Sequence, residues 1–91
     1  MYKIITTNKY EKDFKRIISQ PKLIKEINAV VSLLSVNDIP LPEKYNDHAL
    51  KGKYAEYREC HIRPDWLLVY KKTKKDLILI LVRTGTHSQL F

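Results

Sequence analysis

Hydrophobic spacing divides the chain into a helical half and a strand half. Residues 2–6, Tyr-Lys-Ile-Ile-Thr, are rich in β-formers and predict a first strand. Then the period changes. Tyr10, Phe14, Ile17 and Ile18 recur at i, i+4, i+7 and i+8, one stripe of a helix, while Lys9, Lys12 and Arg16 share the other side. Asn8 is placed to cap this helix. Pro21 suits the first turn of a second helix, along which Leu23, Ile24, Ile27, Val30, Val31 and Leu34 repeat at the same spacing. It is expected to end near Ser35, because Asn37, Asp38, Pro40 and Pro42 cannot sustain it. Residues 41–53 read as an extended loop holding His48 and Gly52.

Beyond this loop the pattern is that of strands. Residues 54–62, a turn at Arg63-Pro64-Asp65, residues 66–71, a charged turn at 72–76 and residues 77–83 predict a three-stranded meander. Period-two alternation sets Tyr57, Glu59 and His61 on one face of its first strand, with Arg58, Cys60 and Ile62 on the other. Its third strand, Leu-Ile-Leu-Ile-Leu-Val, is apolar on both faces and is expected to be central. The predicted fold is α+β in the order β-α-α-β-β-β, with two N-terminal helices packed on one face of a small four-stranded, mostly antiparallel sheet. The other face is where a surface site belongs.

Size narrows the possibilities. A chain of 91 residues buries only about 60–65% of the surface it exposes when unfolded, so one domain over residues 1–91 with one thin core is expected. No enclosed cofactor cavity fits such a core. The composition, 44% apolar and 30% charged with 2 Gly and 4 Pro, is that of a globular protein. The single cysteine, Cys60, excludes an internal disulfide and suits a reducing compartment. The first residues lack an apolar leader and the run 77–82 is too short to cross a bilayer, so a cytoplasmic, non-membrane protein is expected. The net charge of +7 favours polyanions as partners, with simple solubility as the plainer explanation.

Candidate chemistry centres on the three histidines. His48 lies in the loop, His61 near a strand end with Asp65 four residues on, and His87 after the last strand with Arg83 four residues before it. Cleavage of RNA through its own 2′-hydroxyl needs a base, an acid and a cation at the phosphorane. Imidazole, with an ordinary pKa near about 6.5, serves the first two, and a guanidinium fork serves the third. A metal centre is a weaker reading, because Cys60 and His61 point to opposite faces and no CxxC or HExxH spacing occurs. Cys60 itself reads as a small core residue. Tyr10 and Phe14 belong to the helix stripe, Trp66 divides evenly between packing and base stacking, and the terminal Phe91 could stack on a base near His87. Lys51, Lys53, Lys71, Lys72, Lys74 and Lys75 read as solvated surface, some of them available to phosphates.

Read together, Asp47-His-Ala-Leu-Lys-Gly52, Tyr57-Arg-Glu-Cys-His-Ile-Arg-Pro-Asp-Trp66 and Arg83-Thr-Gly-Thr-His-Ser-Gln-Leu-Phe91 form the combined motif DHxLKG, YRxCHIxPDW and RTGTHSxLF. This motif strongly resembles the YafQ-type branch of the RelE/ParE superfamily, toxins of type II toxin-antitoxin systems. The detailed match spans residues 41–91. The resemblance implies a RelE-like fold and a metal-independent, cofactor-free endoribonuclease that cuts mRNA in the ribosomal A site. It also implies silencing by a cognate antitoxin, commonly acidic and partly disordered. Carried over by position, His48, His61, Asp65, Arg83 and His87 are the implied catalytic set and Phe91 the implied substrate-positioning aromatic, to which the residue reading adds Lys51 and Trp66 as candidate substrate contacts. His87 is the expected general acid, His61 and Asp65 form the base side, His48 assists, and Arg83 holds the phosphate. Glu59, where near relatives often carry Asp, and Arg63, where some carry an acidic residue, depart from the pattern. The alternative is a non-catalytic binding protein on the same fold, similar to the gyrase-inhibiting ParE branch or to an inactive toxin.

Overall fold

The computed structural model describes residues 1–36 and 40–91. Strand β1 (Lys3–Thr6) leads into helices α1 (Asn8–Lys15) and α2 (Pro21–Val36). A two-residue strand β2 (His48–Ala49) follows, then β3 (Arg58–Arg63), β4 (Trp66–Thr73), β5 (Ile78–Gly85) and a short helix α3 (His87–Leu90). Single turns of 3-10 helix stand at Glu43–Tyr45 and Gly52–Tyr54. The sheet runs β1-β5-β4-β3-β2, with β1 parallel to β5 and every other neighbour antiparallel.

The α+β order read from the sequence holds, with five strands where four were expected. The addition is β2, inside the stretch read as loop, where His48 and Ala49 pair with Glu59 and Arg58. Two residues carry no period, so pairing alone defines this strand. The first meander strand begins at Arg58, not at residue 54, because the 3-10 turn at Gly52–Tyr54 occupies the approach. The last begins at Ile78, since Leu77 takes φ +54 and closes the preceding turn. Thr7, rather than Asn8, caps α1: its side chain accepts the N–H of Tyr10 at 3.0 Å. Helix α1 ends at Lys15, so Ile18 falls beyond the stripe and is 72% exposed. Helix α2 reaches Val36, and Asn37 and Asp38, expected to end it, lie outside the described residues.

Helix α2 supplies Leu23, Ile27, Val30 and Leu34 to the core, at the spacing that marked its stripe. They meet Cys60, Leu68, Tyr70, Leu79 and Leu81 from the helix-facing side of the sheet. Each such aliphatic side chain contributes about 1.5–3 kcal/mol when fully buried. This packing fixes the sheet as a platform, and the face away from α2 is left for chemistry.

Strand β1 ends opposite Leu81, and β5 continues past it to Gly85. Its outer edge there is completed by side chains instead of a strand. The Thr7 hydroxyl donates to the Val82 carbonyl at 2.7 Å, and Asp13 accepts the Thr84 N–H at 3.2 Å. On the inner edge the register with β4 shifts: Val69 faces Arg83 but the next residue, Tyr70, faces Leu81, so Val82 is an extra, bulged residue. Without that bulge Arg83 would share the face of Leu79 and Leu81, toward the helices. With it, Arg83 joins Val69 on the opposite face.

Candidate active site

Register places the candidate residues in two lines across that face. His48, Glu59, Val69 and Arg83 are successive cross-strand partners from β2 to β5. His61, Leu67 and Gly85 form the adjacent line. Strands stand about 4.8 Å apart, so the His48 and Arg83 backbones are separated by about 14 Å and those of His61 and Gly85 by about 10 Å.

At the β2–β3 end Glu59 lies between two imidazoles. One of its carboxylate oxygens is 3.8 Å from His48 Nε2 and 3.7 Å from His61 Nε2, and the ring centroids are 6.5 Å apart. The other nitrogen of each ring faces a backbone carbonyl, Asn46 O at 2.7 Å from His48 Nδ1 and Pro64 O at 3.2 Å from His61 Nδ1. A carbonyl can only accept, so Nδ1 carries the hydrogen in both rings and Nε2 is turned to the site. Glu59 is buried, 6% exposed, so its charge meets positive charge on either ring with little screening.

Behind this pair Asp47 anchors β2. Its carboxylate accepts the Tyr70 hydroxyl at 2.6 Å and Arg58 Nε at 3.4 Å. Tyr70 is fully buried, and burial first, then the bond to Asp47, pushes its phenol upward from its ordinary pKa. The residue before His48 is thus tied to the core.

At the β5 end Asp13 of α1 grips Arg83 with two parallel bonds, Arg83 Nε to Oδ2 at 2.9 Å and Nη2 to Oδ1 at 2.8 Å. These bonds, opposed by some desolvation, raise the guanidinium above its ordinary pKa. Asp13 is 5% exposed while a quarter of the Arg83 side chain remains open. The Nη1 group lies outside the clamp.

Helix α3 brings up the last two candidates. Thr86 and Gln89 form a capping box, Gln89 Oε1 accepting the Thr86 N–H at 2.9 Å, which sets His87 in the first helical turn. His87 and Phe91, four residues apart, share one side with centroids 5.3 Å apart, and Phe91 meets Tyr54 edge to face at 6.1 Å. Gly85 permits the close return, because a Cβ there would fall 2.9 Å from Gln89 Oε1 and 3.2 Å from Leu90 Cδ2. Beneath α3 a cavity of about 250 Å³ opens over Val69 and Arg83.

Three sequence candidates stand apart from these contacts. Asp65 is exposed in the β3–β4 turn and makes no hydrogen bond or ion pair among the described residues. Trp66, partly buried, packs against the core and its indole N–H donates to Thr84 Oγ1 at 2.8 Å. Lys51 is exposed before the Gly52–Tyr54 turn. Among the described residues no three His, Cys, Asp or Glu side chains are grouped to hold a metal ion. Asp13 and Asp47 were missed by the sequence reading. A signal existed for Asp13, which lies between Tyr10 and Phe14 near the apolar stripe of α1.

A small α+β protein with this strand order, carrying histidines, a carboxylate and an arginine on one sheet face, has the architecture of the RelE-like toxins. Residues 2–91 match the family described as bacterial toxin of type II toxin-antitoxin system, YafQ. The mRNA interferase toxin YafQ of Escherichia coli K12 is 41% identical over 85 residues, 93% of this chain and 90% of that protein. The crystal structure of the E. coli DinJ-YafQ complex matches with TM-score 0.87 and 37% identity over 100% of this chain and 99% of that one. A metal-bound toxin from Helicobacter pylori matches with TM-score 0.89 and 44% identity over the whole of both chains. The chain belongs to the YafQ family of toxins of type II toxin-antitoxin systems.

Proposed function

We propose that the protein is an mRNA interferase, a ribosome-dependent endoribonuclease that cuts messages in the A site and so inhibits translation. The supporting observation is the pair of cross-strand lines, which sets His48, Glu59, His61 and Arg83 on one face with His87 two residues beyond Gly85. A phosphate lying between them is approached from two sides by imidazoles and held by a guanidinium.

In the proposed reaction His61 Nε2 takes the proton of the 2′-hydroxyl, with Asp65 on the same side and His48 assisting. The freed oxygen bonds to phosphorus, the bond from phosphorus to the 5′-oxygen breaks, and His87 gives that oxygen a proton. A 2′,3′-cyclic phosphate and a 5′-hydroxyl result. Arg83 meets the charge gathered on the phosphoryl oxygens. Lys51, Trp66 and Phe91 are the proposed RNA contacts. Every proton and charge role falls to a side chain, so the proposed chemistry uses no metal ion.

The proposed partner is an antitoxin, acidic and partly disordered to match a net charge of +7, as the E. coli relative is bound to DinJ. The proposed location is the cytoplasm, with its ribosomes; among the described residues no helix is long and apolar enough to cross a membrane. Residues 1–91 are proposed to act as one toxin domain.

The test incubates the protein with programmed ribosomes and a defined message, with chelator controls that leave the ribosomes intact, and maps the cuts by primer extension. A-site cuts with 5′-hydroxyl ends, lost in His87→Ala, are expected. No cutting at any codon, with tight binding to gyrase instead, overturns the reading in favour of a binding protein.

A further inference from the structure

We infer that the cavity beside Arg83, walled by Leu50, Tyr54, Tyr57 and Phe91, is a nucleobase subsite for the nucleotide that carries the cleaved phosphate. The inference rests on the ribonuclease reading and goes beyond it, since it assigns RNA contacts to Leu50, Tyr54 and Tyr57.

The cavity, about 250 Å³, has two unlike ends. Leu50, Tyr54, Tyr57 and Phe91 make an apolar and aromatic slot over Val69, while Lys9 and Arg83 supply positive charge at its other side. A flat aromatic base joined to a phosphate has the same division. Tyr54 and Phe91 are 42% and 49% exposed, far more than aromatics retained for packing such as Tyr10 and Tyr70. Their rings stand at 80° with centroids 6.1 Å apart, so they form a corner that offers a ring face to a planar group. Lys53 Nζ lies 5.2 Å over the Tyr54 ring and adds positive charge nearby.

Position also favours a nucleotide. Tyr57 stands just before β3 and lines the slot, while Glu59 and then His61 lie further along the strand. The slot therefore lies on one side of the Arg83 line and the His61 line lies on the other. A phosphate at Arg83 has His61 on one side and, within one nucleotide on the other, the slot with His87 against its Phe91 wall. Segment 50–57 is held there by backbone bonds, Leu50 N–H to the Tyr57 carbonyl at 3.0 Å and Tyr57 N–H to the Tyr54 carbonyl at 2.9 Å.

The intact protein is titrated with each nucleoside 3′-monophosphate and, separately, with inorganic phosphate, following the ring resonances of Tyr54, Tyr57 and Phe91. Nucleotides are expected to bind about 10-fold or more tightly than phosphate and to move these resonances. Tyr54→Ala erases that difference while phosphate binding persists, and Tyr54→Phe keeps it. On programmed ribosomes Tyr54→Ala raises KM about 10-fold, with a smaller change in kcat. Equal binding of nucleotides and phosphate overturns the subsite, as does a Tyr54→Ala protein with unchanged KM. An acidic peptide that moves the same resonances where nucleotides do not also overturns it, in favour of a protein-docking slot. Nucleotide binding as described in a protein that cuts no message supports the subsite and overturns only the ribonuclease reading.

Discussion

Asp13 holds Arg83 by both the Nε and Nη2 of its guanidinium, at 2.9 and 2.8 Å, and accepts the Thr84 N–H beside it. One buried carboxylate thus does two things: it replaces a missing strand partner at the end of β5, and it fixes the plane of the arginine that faces the cavity. The clamp leaves Nη1 outside, where a phosphoryl oxygen can meet it.

Asp13→Ala leaves Arg83 unpaired and a buried N–H unsatisfied, and is expected to cost about 3 kcal/mol in urea unfolding. Asp13→Asn still offers an oxygen to Thr84, so more of the stability returns. Cleavage by this variant is nevertheless expected to fall about 100-fold, because an arginine turned by an ångström no longer meets the phosphate. A wild-type rate in Asp13→Asn would show that Arg83 needs no clamp.

Tyr70 and Asp47 form the corresponding tie at the other end of the site. Tyr70→Phe removes the hydroxyl and leaves the core shape unchanged, so the expected loss is about 1–3 kcal/mol, from a buried hydrogen bond to a charged acceptor. Strand β2 loses its anchor, and amide exchange at His48 and Ala49 should speed up before that of β4 and β5. Exchange unchanged at β2 would mean that pairing with β3 alone holds it.

Three buried groups give stability an alkaline limit. Burial, followed by the charges of Asp47 and Glu59, pushes the Cys60 thiol up to about 12, while burial and then Asp13 push the Tyr10 phenol up to about 12; Tyr70 also moves up. In the unfolded chain these groups titrate near about 8.5 and 10. The unfolded state therefore loses protons first as pH rises, so stability is full below about pH 8.5 and declines toward pH 12. The urea midpoint should fall across that range and fall less in Cys60→Ala. A flat midpoint from pH 8 to 11 would contradict the burial of these groups.

Helices α1 and α2 were legible because their apolar residues repeat every three or four positions, and β3 to β5 because theirs alternate or run unbroken. What the pattern left out depends on partners distant in the chain. His48 and Ala49 form a strand only because Glu59 and Arg58 lie opposite, and no period exists in two residues. The bulge at Val82 looks like any apolar strand residue, yet it decides which way Arg83 points. The histidines and Arg83 could be named by type, whereas Asp13 and Asp47 are ordinary helix and loop residues until the fold brings them to Arg83 and Tyr70. The bond from the Trp66 indole to Thr84 likewise joins residues 18 apart and has no signature in either one's neighbours.

Glu59 offers the sharpest test of how the histidines work together. It lies under 4 Å from Nε2 of both His48 and His61 and is nearly closed to solvent. If His61 becomes positively charged as it takes the 2′-hydroxyl proton, Glu59 meets that charge where water cannot. Glu59→Gln keeps the size and the oxygen but removes the charge, and the single-turnover cleavage rate should fall about 10- to 100-fold with little change in the urea midpoint. Groups that act as one unit are not additive, so Glu59→Gln combined with His61→Ala should be little slower than His61→Ala alone. The same substitution combined with Lys75→Ala, in the β4–β5 turn, should give the product of the two separate effects. Independent effects of Glu59 and His61 would show that the carboxylate acts elsewhere, with His48 as its remaining partner on that face.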